Sequence, residues 1–401
     1  MELSAGVRRV PPPDLGDIGE EVELSARIRT EIGSRGPMTF ARFMELALYD
    51  PAGGYYRGAA ARPGRDGDFL TAPETHPIFG HALARHLDTV WVALGRPGRF
   101  VVREHGAGTG ALAAAILRGL EADGSGLRDT IRYQPVEVDP RREAALEARL
   151  AEAGASDVLE PIDDRPIEGL VLANEMLDAL PIHRVAVRGG RLLERFVDVA
   201  AEGFVDAWDE PSTAALAARL AAEGITLAEG QSAEICLALE AWIGDAARAL
   251  ARGQLLLIDY GASAPELYDP IRRPHGTLRA YVRHRVHDDV YRHVGRQDLT
   301  AHVDVTAVTA AAQAAGLVPI AVTSQAEFLG GAGIEALLRE IQADPATTLA
   351  SYVELRAGLM RLLDPAVTGR FRVMAFGRAW PDGPPLPAFA YRAPTGSGQA
   401  P

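Results

Sequence analysis

The 401-residue sequence contains no lysine, and all 41 of its basic residues are arginine. Chemistry that needs an amine side chain is therefore excluded. This rules out the Schiff-base lysine of pyridoxal-phosphate and aldol enzymes and the phosphate-binding lysine of a Walker A loop. Asp and Glu total 54, so the formal net charge is -13. A chain of this charge repels a phosphate backbone, and we expect no nucleic acid as a partner.

Cysteine is nearly absent as well, because Cys236 is the single cysteine of the chain. It cannot form an intramolecular disulfide, which favours a reducing compartment, and it cannot complete a zinc site. Its apolar neighbours predict a helix and a buried structural thiol. His76, His81 and His86 recur every five residues, a spacing that does not place them on one helix face. No metal site is predicted.

Long apolar runs are also missing. No stretch reaches the roughly 18 to 20 uninterrupted apolar residues that a membrane span needs, and the acidic start of the chain lacks the features of a signal peptide. The sequence therefore predicts a cytoplasmic protein without a membrane partner. A homodimer is left open, because nothing in the sequence indicates the oligomeric state.

From Arg99 onward, strand-like and helix-like segments alternate, which predicts an α/β fold with a parallel sheet and helices on both faces. The predicted division of the chain is a flexible tail at 1–20, an N-terminal helical and lid region at 21–95, the first part of the core at 96–182, an inserted meander with helices at 183–252, the second part of the core at 253–380 with an Arg/His-rich insertion at 262–300, and a flexible tail at 381–401.

Ligands of an open parallel sheet bind outside the carboxyl ends of its strands. The first informative strand end is a glycine-rich turn, Glu104-His105-Gly106-Ala107-Gly108-Thr109-Gly110, where missing Cβ atoms let a ligand approach the backbone. The turn also matches a dinucleotide fingerprint. However, Glu104 would repel a pyrophosphate and attract an ammonium group. S-adenosylmethionine carries an ammonium group and no phosphate, so this turn favours it as the ligand.

The second strand end is Val136-Glu137-Val138-Asp139, where a carboxylate can accept hydrogen bonds from both hydroxyls of a ribose. Glu137 lies 29 residues beyond Gly108, whereas the acidic residue of the dinucleotide fingerprint follows after about 20. The motif therefore supports a nucleoside ligand and argues mildly against NAD.

The third strand end carries Asn174, Glu175 and Asp178. Two carboxylates that converge on a pocket would bind a guanidinium group or accept a proton from a nucleophile. Asn174 and Asp178 could instead cap a helix. At the fourth strand end, Asp259 leaves helix capping and function equally open.

Together these motifs resemble the MidA-like methyltransferases, the family of the mitochondrial complex I assembly methyltransferase. The matching stretches run in order between about residues 36 and 335 and are Phe40 to Tyr56, Gly67 to Glu74, Glu104 to Leu112, Val136 to Pro140, Ala173 to His183, Leu257 to Gly261, Gly276 to Tyr281, Asp298 to Asp304 and Glu327 to Leu329.

This resemblance implies a class I methyltransferase core, with a seven-stranded sheet that has one antiparallel strand, and S-adenosylmethionine as the methyl donor. It makes a protein arginine side chain the leading acceptor. The predicted catalytic residues are Glu175, Asp178 and His302. The predicted cofactor-binding residues are Glu104, Gly106, Gly108, Gly110, Glu137, Asp163, Asn174 and Glu74. The predicted substrate-binding residues are Tyr55, Tyr56, Asp68, Thr71 and Asp304.

Three alternatives stay open at this point: a methyltransferase acting on a small-molecule or peptide metabolite, a non-catalytic assembly protein that retains the fold, and an NAD(P)-dependent oxidoreductase.

A further feature of the sequence, a cluster of arginines, concerns the acceptor. Seven of the 41 arginines lie within 271–296, together with only two acidic residues, Asp288 and Asp289. We call residues 271–296 the basic segment, and we expect it to border the acceptor cleft and recruit an acidic partner.

Overall fold

The computed structural model describes residues 18–58, 76–283 and 285–391 of the chain. The predicted N-terminal tail therefore lies almost wholly outside the described residues, and so do the predicted site residues Asp68, Thr71 and Glu74. None of the described helices is long and apolar enough to cross a membrane.

The α-helices of the described residues are α1 (Val22–Arg35), α2 (Phe40–Tyr49), α3 (Ile78–Ala93), α4 (Ala111–Ala122), α5 (Leu127–Thr130), α6 (Pro140–Glu152), α7 (Ala214–Ala222), α8 (Ala238–Ala249), α9 (Ala264–Leu267), α10 (Val305–Ala314), α11 (Gln325–Gly331), α12 (Ile334–Ala343), α13 (Leu349–Leu363) and α14 (Pro387–Ala390). Short 3-10 helices occur at Ser156–Val158 and Leu177–Ala179.

The strands are β1 (Met38–Thr39), β2 (Phe100–His105), β3 (Ile131–Val136), β4 (Ile167–Asn174), β5 (His183–Arg188), β6 (Arg191–Ala200), β7 (Gly203–Asp209), β8 (Ser232–Ile235), β9 (Leu250–Asp259), β10 (Gly261–Ala262), β11 (Arg279–Val282), β12 (Arg285–His287), β13 (Asp298–Thr300), β14 (Val303–Asp304), β15 (Val318–Ser324) and β16 (Arg372–Arg378).

The centre of the fold is a six-stranded sheet with the order β15-β16-β9-β4-β2-β3. The strands β3, β2, β4 and β9 are parallel, and β16 runs antiparallel to both of its neighbours. The sheet has six strands rather than the seven predicted. At its edge, Leu159 makes only an isolated parallel bridge to Tyr133, because the chain just before it turns into a 3-10 helix.

Both faces of this sheet are covered by helices, which confirms the predicted α/β class. The strands carry apolar runs such as Leu255–Ile258, all buried, as expected of parallel strands with two covered faces. The helices α3, α4, α6, α11 and α13 contribute to the core on one face. The helices α8 and α10 contribute to the core on the other face.

The N-terminal helices form a separate apolar cluster beside the sheet. Leu24, Ile28 and Ile32 follow one another at intervals of four, so they share one face of α1 and are buried together. Thr39 begins α2 as predicted, because its hydroxyl accepts a hydrogen bond from the Arg42 N–H at 3.2 Å. Residues of the meander and of β11 and β13 complete the cluster. This packing brings residues near Tyr56 to the carboxyl ends of the central strands.

Three predictions of local structure are wrong. The helix expected at 231–251 begins only at Ala238, because Ser232–Ile235 pairs with β5 as a strand. Cys236 lies between the two, and burial raises the pKa of its thiol to about 11. The insertion 262–300, expected to be irregular, contains the three-stranded sheet β12-β11-β13. The expected flexible tail 381–401 is anchored in its described part, up to Tyr391, because Leu386, Ala388 and Phe389 are buried in the core.

Candidate active site

A cavity of about 310 Å³ opens at the carboxyl ends of β2, β3 and β4. The register of the sheet aligns these ends, since His105 pairs with Val136 on one side and with Ala173 on the other. The residues that line the cavity are Tyr49, Tyr56, Glu104, His105, Gly106, Ala107, Gly108, Thr109, Ala111, Leu112, Val136, Glu137, Val138, Arg142, Asn174, Glu175, Met176, Ala179, Leu180 and Trp242. The cavity thus collects residues of all three strand ends.

The glycine-rich turn forms the floor of the cavity. Gly108 has a φ of +55°, and a Cβ added to it would meet no atom closer than 4.0 Å, so the backbone lies open to a ligand there. Gly110 does not line the cavity. Its added Cβ would lie 2.7 Å from the Leu146 side chain, so this glycine allows α6 to approach closely. The turn combines an exposed backbone with tight helix packing.

Glu104 is buried at the bottom of the cavity. Its side chain is 3% exposed, and the Tyr133 hydroxyl donates a hydrogen bond of 2.6 Å to Oε2. Burial raises the pKa of Glu104 to about 8, although the hydrogen bond from Tyr133 opposes this rise. A cation beside this carboxyl group would favour the ionised form.

Asn174, at the end of β4, presents a second acceptor to the cavity. Its Oδ1 is buried and has no hydrogen-bond partner among the described residues, while its Nδ2 donates to Glu175 Oε1 at 3.2 Å. A buried acceptor without a partner is costly, so a ligand that donates a hydrogen bond would stabilise it.

Glu137 lies at the end of β3, where its carboxylate accepts hydrogen bonds from the backbone. Oε2 accepts from the Gly108 N–H at 2.8 Å, and Oε1 accepts from the Val138 N–H at 2.7 Å. These contacts hold the carboxylate against the glycine-rich turn. It is therefore fixed at the position where the sequence predicts the ribose.

Glu175 lines the same cavity and has an unusual backbone. Its φ is +51°, a left-handed conformation that is rare for a residue with a side chain. Asp178, predicted to lie beside it, is instead buried behind the cavity wall. Burial raises the pKa of Asp178 to about 6, and a hydrogen bond with Tyr260 opposes that rise. The two carboxyl groups therefore do not face the same space.

Aromatic residues from the N-terminal region of the chain form one wall of the cavity, which we call the aromatic wall. Tyr49 and Tyr56 stack with ring centroids 5.5 Å apart, and the Arg142 guanidinium lies 5.6 Å from the centre of the Tyr56 ring. The Tyr56 hydroxyl donates to Asp298 at 2.8 Å. Tyr55, predicted beside Tyr56, does not line the cavity and is fully buried in the N-terminal cluster.

Three further predicted site residues lie away from this cavity. Asp163 pairs with Arg165 at the surface and lines no part of it. His302 and Asp304 line a separate cavity of about 20 Å³. Asp304 caps α10 by accepting from the N–H groups of Thr306 and Ala307. Burial lowers the pKa of His302 to about 4, as do nearby arginines. Asp304 thus has a capping role in the fold, and neither residue lines the larger cavity.

Several lining residues were not predicted from the sequence. Tyr49 and Trp242 come from α2 and α8, remote elements with no local motif, and His105 contacts Trp242 edge to face at 5.2 Å. Arg142 lies in the first turn of α6, directly after the predicted ribose motif, so its place in the chain could have drawn attention to it.

The chemistry of the cavity fits S-adenosylmethionine, the cofactor predicted from the sequence. Its charged lining residues are Glu104, Glu137, Glu175 and Arg142, so three carboxyl groups and one guanidinium surround the space. The cofactor carries two cationic groups, one carboxylate and a ribose. The open backbone at Gly108 leaves room for the methionine portion, and the unpartnered Asn174 Oδ1 matches an ammonium group. Among the described residues, no group of three or more His, Cys, Asp and Glu could hold a metal ion.

Comparisons with known proteins identify the family of the chain. A family model described as S-adenosyl-L-methionine-dependent methyltransferase matches residues 82–323. The chain is 31% identical to the mitochondrial protein arginine methyltransferase NDUFAF7 of Mus musculus, over 86% of this chain and 82% of that protein. It is 29% identical to the mitochondrial NDUFAF7 homolog of Drosophila melanogaster, over 91% of this chain and 88% of that protein. A crystal structure from Burkholderia thailandensis, bound to S-adenosyl-homocysteine, matches with a TM-score of 0.83 and 38% identity, over 95% of this chain and 97% of that one.

These matches confirm the predicted cofactor and exclude the oxidoreductase alternative, because the family description and the bound ligand both concern S-adenosylmethionine chemistry. They also correct one expectation. The prediction of a cytoplasmic protein is contradicted, since the relatives from mouse and fruit fly are mitochondrial proteins.

Proposed function

Because the chain belongs to the MidA-like family of S-adenosyl-L-methionine-dependent methyltransferases, we propose that it methylates an arginine side chain of a protein. The named relatives are protein arginine methyltransferases, which supports this acceptor. The observation that carries the proposal is the place of Glu175. It follows β4 directly and lines the same cavity as Tyr49 and Tyr56.

The cofactor-binding roles are part of this proposal. Glu104 and Asn174 accept hydrogen bonds from the ammonium group of the cofactor, and the backbone around Gly108 holds its methionine portion. Glu137 is fixed by the N–H groups of Gly108 and Val138, so its carboxylate is oriented to accept from the ribose hydroxyls. Arg142 is the cation of the lining and offers its guanidinium to a carboxylate.

Glu175 orients the acceptor. When bound, the cofactor supplies a methyl group on a sulfonium sulfur. A carboxylate beside a guanidinium accepts its N–H groups in a fixed geometry, which aligns the nucleophilic nitrogen with the methyl group. The same carboxylate takes the proton that the nitrogen loses. Asp178 is buried behind this position and contributes through the loop that carries Glu175, without touching the acceptor.

We propose that the acceptor reaches the cavity from the side of Tyr56 and β13. Asp298, the first residue of β13, is buried and holds the Tyr56 hydroxyl. β13 pairs with β11, which belongs to the basic segment. The basic segment has seven arginines and two aspartates, a formal charge of +5 in a chain of -13. We propose that an acidic face of the acceptor protein docks here, next to the cavity.

The test is a labelled-methyl transfer assay. Lysate from a strain that lacks the protein is incubated with the purified chain and labelled S-adenosylmethionine, and labelled products are identified by mass spectrometry. We expect a monomethylated or dimethylated protein arginine. Glu175→Gln should abolish transfer and leave the affinity for S-adenosyl-homocysteine within a few fold, whereas Glu194→Gln, far from the cavity, should retain activity. Label on another side chain or on a small metabolite would refute the proposed acceptor.

A further inference from the structure

The loop that presents Glu175 is held by a residue of another strand. Asp259 is the last residue of β9 and is 1% exposed. Its Oδ2 accepts hydrogen bonds from the N–H groups of Met176, Leu177 and Asp178, at 3.1, 2.9 and 3.3 Å. Its Oδ1 accepts from the Tyr260 N–H at 2.9 Å. One carboxyl group thus binds three successive N–H groups directly after Glu175.

These N–H groups belong to the start of the 3-10 helix Leu177–Ala179. The first N–H groups of a helix have no partner within the helix, and a side chain of the preceding residue usually caps them. Here Met176, at the capping position, makes no such bond. Asp259 caps the helix from the neighbouring strand, so the end of β9 and the loop after β4 form one rigid unit.

The contacts with β9 also fix the backbone of Glu175. A left-handed backbone is strained for a residue with a side chain and persists only where its surroundings impose it. The Glu175 N–H donates to the Ile258 carbonyl at 2.8 Å, so the preceding peptide is tied to β9. The next three N–H groups are tied to Asp259. The left-handed turn at Glu175 is therefore fixed from both sides by two consecutive residues of β9.

We infer that Asp259 is a positioning residue that aims the Glu175 carboxylate at the transferred methyl group by capping the loop 176–178. This inference rests on the proposed role of Glu175 and adds a residue that touches neither cofactor nor acceptor. Asp259 lines no part of the cavity. Its effect must therefore pass through the loop that it holds, where Glu175 and Met176 line the cavity, and the share that passes through Glu175 can be measured.

The probe is sinefungin, a cofactor analogue with an amine-bearing carbon in place of the methylated sulfur. Its ammonium group occupies the position of the transferred methyl group and reports a correctly placed carboxylate. Titration calorimetry gives the affinity for sinefungin relative to S-adenosyl-homocysteine. We expect Glu175→Gln to lower this ratio about tenfold and Asp259→Asn to lower it about fivefold or more, because a charge-assisted hydrogen bond is lost or misaligned.

The double variant distinguishes positioning from a merely structural role. If Asp259 acts through Glu175, adding Asp259→Asn to Glu175→Gln should change the ratio by less than about twofold, since the two residues form one unit. Independent losses that multiply, or an equal loss of affinity for both ligands, would overturn the inference. Glu194→Gln is the matched control, because Glu194 is also buried and accepts a backbone N–H, from Ser212. It should leave the ratio unchanged.

A replacement variant and an assay without acceptor keep the test of Asp259 separate from the test of the proposed function. If Asp259→Asn does not fold, Asp259→Ser replaces it in the same cycle, since its hydroxyl can still accept one of the N–H groups. The binding measurement needs no acceptor. A failure to find a methylated arginine would refute the proposed function and leave the sinefungin ratios to decide on Asp259.

Discussion

The hydroxyl of Tyr133 donates a hydrogen bond of 2.6 Å to Glu104 Oε2, and both side chains are buried beneath the glycine-rich turn. This bond joins the adjacent parallel strands β2 and β3 at the floor of the cavity. Burial raises the pKa of Glu104 to about 8, so near neutral pH the carboxyl group is largely protonated before the cofactor binds. We therefore expect cofactor binding to be coupled to the release of a proton from Glu104.

The first prediction concerns the pH dependence of that binding. The ammonium group of the cofactor favours ionised Glu104, so the free protein must lose a proton below pH 8. The affinity for S-adenosyl-homocysteine should rise with pH by up to about tenfold per unit until pH 8 and then level off. Calorimetric titrations between pH 6 and 9 measure this slope.

Glu104→Gln is the control for this slope. The ammonium group of the ligand titrates in the same way with both proteins. The difference between the two pH slopes therefore gives the contribution of Glu104. Tyr133→Phe removes the hydrogen bond that opposes the raised pKa, and it should move the midpoint to higher pH. Equal slopes for wild type and Glu104→Gln would show that Glu104 does not take part.

The second prediction concerns Arg142, the cation of the cavity lining. Its Nη2 is buried and has no partner among the described residues, so its guanidinium is available to the cofactor carboxylate. Arg142→Met should lower the affinity for S-adenosyl-homocysteine about tenfold, as expected for the loss of a charge-assisted hydrogen bond of about 1.5 kcal/mol. Arg149→Met, an exposed position on the same helix, should change it less than twofold. Equal effects would assign the loss to the charge of α6 as a whole.

The third prediction concerns the basic segment. Arg272 and Arg292 are exposed, and reversing both with Arg272→Glu and Arg292→Glu should raise the KM for the protein acceptor about tenfold with little change in kcat. The effect should weaken as salt concentration rises. Arg356→Glu with Arg361→Glu, two exposed positions on α13, is the matched control. An unchanged KM would mean that the acceptor docks elsewhere.

The fourth prediction concerns stability in acid. His86 is buried, with its Nε2 2.7 Å from Gln254 Oε1, and burial lowers its pKa to about 4. The unfolded chain binds this proton near pH 6.5, so the stabilising contribution is complete above pH 6.5 and is lost as the pH falls toward 4. Between pH 7 and 5, the free energy of unfolding should fall by about 2 kcal/mol from this histidine alone.

Urea denaturation at the two pH values measures this change. His86→Gln removes the contribution of His86 to this pH dependence. The difference in unfolding free energy between pH 7 and pH 5 should therefore shrink by about that amount, even if the variant is less stable at pH 7. His275→Gln, at an exposed position, should leave the difference intact. An unchanged difference for His86→Gln would mean that His86 takes up its proton in the folded protein as readily as in the unfolded chain.

The elements that the sequence predicts well are those with strong local patterns. The apolar run before Asp259 and the alternating meander after His183 are both found where they are predicted. The strand Ser232–Ile235 is missed because it exists through its pairing with β5, and four residues carry too weak a pattern of their own. Strand pairing over such a distance is not encoded locally.

The residues of the candidate site also differ in how well the sequence predicts them. Glu104, Glu137 and Glu175 share the cavity because each ends or follows a parallel strand, which a strand pattern predicts. Asp178 fails to join Glu175 because the segment turns into a 3-10 helix after a left-handed residue, so the spacing expected for an α-helix does not apply. Tyr49 and Trp242 reach the cavity only through the packing of distant helices, which no local motif reports.

The packing of the chain's first described residues bears on how the protein folds during synthesis. The Glu21 N–H donates to the Val294 carbonyl at 2.9 Å, and the Arg296 guanidinium binds the Glu21 carboxylate at 2.8 Å. These contacts at the start of the first helix can form only after about 275 further residues have been synthesised. That synthesis takes roughly 15 to 55 s on a ribosome. Until then its apolar face, Leu24, Ile28 and Ile32, can pack against α2 and the meander but lacks the part of its cluster that Val290 and Val294 supply.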